Sequence, residues 1–412
     1  MVALATVTSL LLSTALLLVG HGLMLTLLPL RGGSIGMSEF LIGLSASSYF
    51  LGFVMGCLGI PRLIARVGHI RGFAVLTAVM ISAALCLEML DQWQAWLLLR
   101  FLIGAAISGL YAVIESWLNS QSTPESRGRI LAVYTFITLT AMLAGQFLIN
   151  VGPVDTPAPF IVAAVFLAMA ILPVGLTRRI APEPIESTRV GLKRLFSLSH
   201  SAFAGGLLSG LVVGSFWSLG AIFANHYGRS QMDVTWFMSA AIAGGALLQY
   251  PIGWLSDRVD RRRVLVLLCN GGAVTAAAVA ASAGLEWHLA AVFLFGASVM
   301  PLYAISLATA ADVSPADEFV QIGTSVLLLN AIGAVLAPLP LGHIMAVFGP
   351  TGLFWSFTAL CLAFAVYIAV QSRSPRTVEV EHQTPFTAAA SETAPAGFAL
   401  DPRGEAPKGQ GD

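Results

Sequence analysis

The sequence predicts an all-α membrane protein with twelve transmembrane helices in two pseudo-symmetric six-helix bundles. Three observations predict it. The 412 residues are 57% hydrophobic and 10% charged, with a mean hydropathy of +0.84, far more apolar than a soluble core of this size needs. The apolar residues come in runs long enough to cross a bilayer core, which takes roughly 20 residues of helix. Segments in the two halves match at one common offset, the mark of a duplicated unit.

In order, the spans fall at 5–30, 38–60, 72–90, 93–118, 129–151, 159–177, 201–225, 233–255, 264–284, 289–311, 320–346 and 351–371. The first begins in "MVALATVTSLLLSTALLLVGHGLMLTLLPL", which has no basic n-region and runs apolar for longer than a signal peptide, so it reads as a retained helix. The loop "RRIAPEPIESTRVGLKR", within 178–200, separates an N-terminal bundle (1–177) from a C-terminal bundle (201–371). In the eleventh span, "APLPLG" at 337–342 breaks the helix, either to bend it at a gate or merely to kink it. The tail, 372–412, is rich in Pro, Ala, Glu, Thr and Gly, has little to bury, and is expected to be disordered in the cytoplasm.

Basic residues collect on the cytoplasmic side of a membrane protein. With the N-terminus inside, the inner loops carry Arg62, Arg66 and Arg71, then Arg127 and Arg129, then Arg178, Arg179, Arg189, Lys193 and Arg194, then Arg258 and Arg261 to Arg263. The outer loops carry Arg31 and Arg229. Both termini are therefore expected in the cytoplasm, with the chain in a bacterial inner membrane.

The internal repeat rests on two segment pairs. "FLIGAAISGLYAVI" (101–114) matches "FLFGASVMPLYAIS" (293–306) at an offset of 192. The same offset lays "PRLIARVGHIR" (61–71) on "GWLSDRVDRRR" (253–263), pairing Arg66 with Arg258 and Arg71 with Arg263. An offset spanning six helices gives the two halves the same topology rather than an inverted one.

"GWLSDRVDRRR" resembles the loop signature of the major facilitator superfamily of secondary transporters, Gly-x-Leu-Ala-Asp-Arg-x-Gly-Arg-Arg/Lys. It carries Gly253, Leu255, Asp257, Arg258, Arg261 and Arg262, with Asp260 in place of the second Gly. The first-half copy departs further, with Pro61 for the first Gly and Ala65 for the Asp. "SSYFLGFVMG", "VIESWLN", "RGRILAVY", "GQFLI" and "YPIGWLSDRVDRRRVLVL" are similar to the YcaD-like branch of bacterial transporters. The resemblance implies two rocking bundles and a loop that helps hold the inner face closed. Asp257 and Arg258 are then the gating residues, with Asp312 as the nearest acid, and Arg66 with Glu115 is the analogous first-half pair. The alternative is that these arginines only set topology and snorkel to headgroups.

Ionisable residues inside spans are costly and mark site candidates. Arg100 follows Trp93 by seven residues and Trp96 by four, roughly 6–10 Å inside the outer interface. "RFLIG" resembles the superfamily's fourth-span Arg-x-x-x-Gly, linked there to proton or substrate coupling; the alternative is an arginine that snorkels outward. Glu115 lies near the inner end of the same helix, placed to pair with an inner arginine or to meet substrate. His21 is the histidine positioned to titrate near neutral pH. Tyr111 and Tyr303 correspond under the repeat, and Thr138, Trp217, Gln249 and Asn330 complete the candidates for a central cavity, each equally open to a helix-packing role.

These features point to a secondary transporter of a small molecule, with protons as a candidate coupling ion and a monomer embedded in lipid. Within the superfamily it resembles, the fifth span lacks the Gly-Pro pattern of many drug-proton antiporters, which implies a substrate other than an exported drug. A sensor built on a transporter fold and a polytopic membrane enzyme are the alternatives. Scattered histidines argue against the enzyme. The four cysteines sit singly, so neither metal, cofactor nor disulfide framework is expected. A net charge of zero and basic residues that form no patch among aromatics give no sign of a nucleic-acid partner, and none is expected.

Overall fold

The computed structural model describes residues 2–176, 190–228, 230–282, 288–315, 318–371, 383–387, 394–401 and 403, and the fold is all-helical. The first half contains Val2–Ser34, Glu39–Val67, His69–Met89, Trp93–Ser120, Pro124–Leu148 and Ala158–Gly175. The second contains His200–Tyr227, Gln231–Ser256, Arg261–Ala281, His288–Ala311, Phe319–Phe348 and Gly352–Gln371. Eleven of these twelve are long and apolar enough to cross a membrane. Gln231–Ser256, at 26 residues, is the less apolar eighth span. A short helix, Leu192–Leu198, precedes the seventh span, while Arg178, Arg179, Arg189 and Arg229 lie outside the described residues.

Helix ends follow local chemistry. The eighth span opens with a reciprocal cap: the Asp233 amide donates to Ser230 Oγ (3.3 Å) and the Ser230 amide to Asp233 Oδ2 (2.9 Å). Gly68 joins the second and third spans at φ +84°, a conformation open to glycine. Its repeat counterpart, Asp260, sits at φ −50° and caps the ninth span by accepting from the Arg262 amide at 2.9 Å. An acid can replace the signature glycine there because the turn no longer needs positive φ.

The duplication is visible in close backbone approaches. A side chain at Gly52 would collide with the Phe101 carbonyl, and one at Gly104 with the Tyr49 carbonyl. The equivalent collisions, 192 residues later, are Gly244 with Phe293 and Gly296 with Ala241. The same small-residue seam therefore locks spans two and four in one half and eight and ten in the other. The first, seventh and eleventh spans are the most buried of the eleven, and the twelfth is the least.

Three second-half spans are irregular. The seventh carries π-helical turns at Gly210–Gly214 and Phe216–Gly220, the tenth divides at Met300, and the eleventh divides at Ala337 before Pro338. The last break is the one expected from "APLPLG". π-turns often mark functional sites.

The described tail segments correct the expectation that the tail has little to bury. Phe398 is 3% exposed and packs in a cluster with Phe319, Ile322 and Tyr303, and the backbone of 383–387 bonds the loop carboxylates. Two aromatic residues, Phe386 and Phe398, supply anchors that overall composition conceals.

Candidate functional site: a cleft between the halves

His21 of the first span, Tyr49 of the second and Arg100 of the fourth meet within the helix bundle. Tyr49 Oη lies 3.2 Å from His21 Nε2, and the Arg100 guanidinium stacks 4.7 Å from the Tyr49 ring centroid. Arg100 is 5% exposed, and among the described residues its guanidinium makes no hydrogen bond or ion pair. It lines a narrow cavity of about 10 Å³ with Ser45, Trp96, Met37 and Ser218. Because Ser218 belongs to the seventh span, this cavity lies between the halves.

A second narrow cleft, of about 20 Å³, is lined by Tyr49, Phe50 and Phe53 from one half and Val213, Trp217 and Asn330 from the other. Trp217 stands on the second π-turn. Asn330 is 7% exposed, and its Nδ2 is buried without an acceptor.

Of the sequence candidates, the structure thus brings Arg100 and His21 together and sets Trp217 and Asn330 across the cleft. It places the others elsewhere. Thr138 Oγ1 donates back to the Tyr134 carbonyl at 2.9 Å, a helix-internal bond. Gln249 is half-buried on the eighth span, and Tyr111 and Tyr303 are fully buried in helix packing. Tyr49, the residue touching both His21 and Arg100, was not foreseen. Three segments 28 and 51 residues apart carry no spacing signal, and the one hint was its place in "SSYFLGFVMG".

At the arginine-rich end, Arg261 is the hub. It is 1% exposed, bonds Asp312 Oδ1 at 2.6 Å, Asp257 Oδ1 at 2.8 Å and the Ala308 carbonyl at 3.0 Å. Burial pushes the Asp312 carboxyl above its ordinary range, and Arg261 opposes that shift. The expected pairing of Arg258 with an acid is replaced: Arg258 stacks 3.6 Å from the exposed Trp254 ring. Arg261, four residues after Asp257 and at the first turn of the ninth span, points inward, and Arg258 points outward. Arg262 contributes its amide to the Asp260 cap.

The Arg66–Glu115 pair is likewise not formed. Arg66 and Arg71 are exposed and make no ion pair among the described residues. Glu115 is fully buried and accepts from Tyr134 Oη at 3.0 Å and from the tail's Ala394 amide at 2.8 Å.

A family profile, the Major Facilitator Superfamily, matches residues 10–200 and 202–398. The chain belongs to the major facilitator superfamily. Among its relatives, an uncharacterized transporter of that superfamily from Enterobacter sp. strain 638 is 28% identical over 87% of this chain and 92% of its own length. The transporter YcaD of Escherichia fergusonii, also uncharacterized, is 27% identical over 84% and 91% respectively. Among solved structures, the nucleoside transporter NupG superposes with a TM-score of 0.77 at 13% identity, over 90% of this chain and 99% of that one. A bacterial Spinster homologue captured inward-facing and occupied gives 0.69 at 15%, over 92% and 97%. These structures share the fold. Superfamily membership makes the chain a multi-pass membrane transport protein rather than an enzyme.

Proposed function

We propose that this protein is a secondary transporter that moves a small molecule across a bacterial inner membrane by alternating access, with the arginine-rich face and both termini in the cytoplasm. The observation that carries this reading is Arg100, a buried guanidinium facing a cavity between the two halves. Keeping such a charge inside a bilayer is costly unless it works on a ligand or coupling ion. The halves rock about the cleft, and Asp257, Arg261 and Asp312 form the ionic latch of the second half's inner face. His21, bonded to Tyr49 beside Arg100, is the group through which protons would couple to transport. The protein acts as a monomer, since the cleft is complete within one chain.

A thermal-shift screen of the purified protein against metabolites, sugars, amino acids, organic acids and cationic drugs tests the reading. A ligand at about 100 times its dissociation constant should stabilise the fold by roughly 2.7 kcal/mol. Arg100→Ala is expected to remove that shift and to abolish uptake in proteoliposomes while the protein still expresses and inserts. Undiminished uptake by the variant would reduce Arg100 to a snorkelling residue.

A further inference from the structure

We infer that the substrate is a small organic anion, an acidic group joined to a flat apolar body. This deepens the transporter reading and rests on it. Arg100 offers its N–H groups to a cavity, with no carboxylate in either cavity lining to neutralise it. The acid lower in the same helix, Glu115, is already bonded by Tyr134 and Ala394. From the opposite half, Asn330 presents a second buried donor without an acceptor. The two cavities, joined through Tyr49, present one positive charge and one unsatisfied donor, which together suit an anion with acceptor oxygens and repel a cation. Between the two donors, Tyr49, Phe50, Phe53 and Trp217 line an aromatic wall suited to a ring or planar chain. A guanidinium in this role binds a carboxylate, phosphate or sulfonate through paired N–H groups, which lysine reproduces poorly.

The test is a thermal-shift and binding panel of acids paired with their isosteric amides and amines, beginning with benzoate, benzamide and benzylamine, then indole-3-acetate and indole-3-acetamide, then phenyl phosphate. The expected result is stabilisation by at least one acid with a preference of about tenfold or more over its amide. Arg100→Gln should erase the preference and Arg100→Lys should retain part of it, a control against misfolding. Equal binding of an acid and its amide overturns the anion class, as does an amine that binds through Trp217 and ignores Arg100→Gln, and both leave the transporter reading standing. Silence across all three charge classes, in wild type and variants alike, overturns both.

A different observation carries a second proposal: the C-terminal tail is a built-in plug of the arginine-rich vestibule. The direct contacts between halves described so far, together with Asn150 Nδ2 to Thr235 Oγ1 (2.8 Å) and Gln231 Nε2 to the Gly152 carbonyl (3.0 Å), lie around the cleft or toward the opposite end. At the arginine-rich end, Pro395–Leu400 packs against the fourth, fifth and eleventh spans, touching both halves. Three carboxylates there accept tail amides: Asp312 from Thr384 (2.9 Å), Asp257 from Phe386 (2.9 Å) and Glu115 from Ala394 (2.8 Å). Arg261 also bonds the Thr384 carbonyl. Gly253 and Gly323 leave space that the rings of Phe386 and Phe398 occupy. The described tail segments thus tie the second half's latch to the first half's buried acid.

Hydrogen exchange on the full chain should show the amides of Thr384, Phe386 and Ala394 protected by about tenfold or more over free peptide. Truncation after Gln371, and separately Phe386→Ala with Phe398→Ala, should raise labelling of a Phe319→Cys reporter by an impermeant maleimide about tenfold. Tail amides exchanging at free-peptide rates, or reporter labelling unmoved by both changes, would overturn the plug.

Discussion

The two halves place different chemistry at one position. In the second, Arg261 bonds Asp257, Asp312 and the Ala308 carbonyl. The residue 192 positions earlier is His69, which is also buried and bonds Ser116 Oγ at 2.7 Å, and Ser116 is the counterpart of Ala308. The counterparts of Asp257 and Asp312 are Ala65 and Ser120, so the first half has the geometry of the latch without its charges. The comparison teaches that the fold fixes where a latch sits, and the side chains fix how strongly it holds. A buried ion pair releases slowly because separation leaves a charge unsolvated, whereas a neutral His–Ser bond yields readily. The first half is then the compliant partner in rocking, and its acid, Glu115, is engaged by the tail.

The largest effect is expected from Arg261→Met, which strands the buried Asp312 carboxylate and should cost on the order of 3–5 kcal/mol, read as a fall in Tm in detergent. A loss under about 1 kcal/mol would mean that the two halves do not differ in latch strength. Writing the ionic set into the first half with Ala65→Asp, His69→Arg and Ser120→Asp sharpens the comparison. A double-mutant cycle over positions 69 and 120 should show coupling of about 1–3 kcal/mol. Strict additivity would show that position alone does not make a latch. His69→Ala removes one neutral hydrogen bond and should cost about 1 kcal/mol by the same Tm measurement. The smallest stability effect belongs to Asp257→Asn, because that side chain is 37% exposed and its pair contributes up to about 1 kcal/mol. Its signature is increased labelling of cysteines at the arginine-rich face, and unchanged labelling removes Asp257 from the gate.

How much was legible beforehand varies by residue. The span pattern, the duplication and the Pro338 break were readable because hydropathy and backbone restriction act locally. Arg100 stood out because a charge in an apolar run is conspicuous. Tyr49 did not, since an aromatic among aromatics looks like packing until the neighbouring helices are in place. The choice of Arg261 over Arg258 turned on which face of the first turn points inward, and three consecutive arginines hide that choice. The tail was misread because two phenylalanines in a Pro- and Ala-rich segment cannot bury themselves, yet they can be buried by a surface already formed.

The sequence by itself determined that this chain lives in a bilayer, crosses it twelve times and is built twice over, because the free energy of placing each residue in lipid depends on local composition. Only the tertiary structure decided which donors meet at the cleft, which arginine closes the latch and where the tail comes to rest. Those are contacts between segments tens to hundreds of residues apart, and their energies depend on geometry that no window of sequence contains.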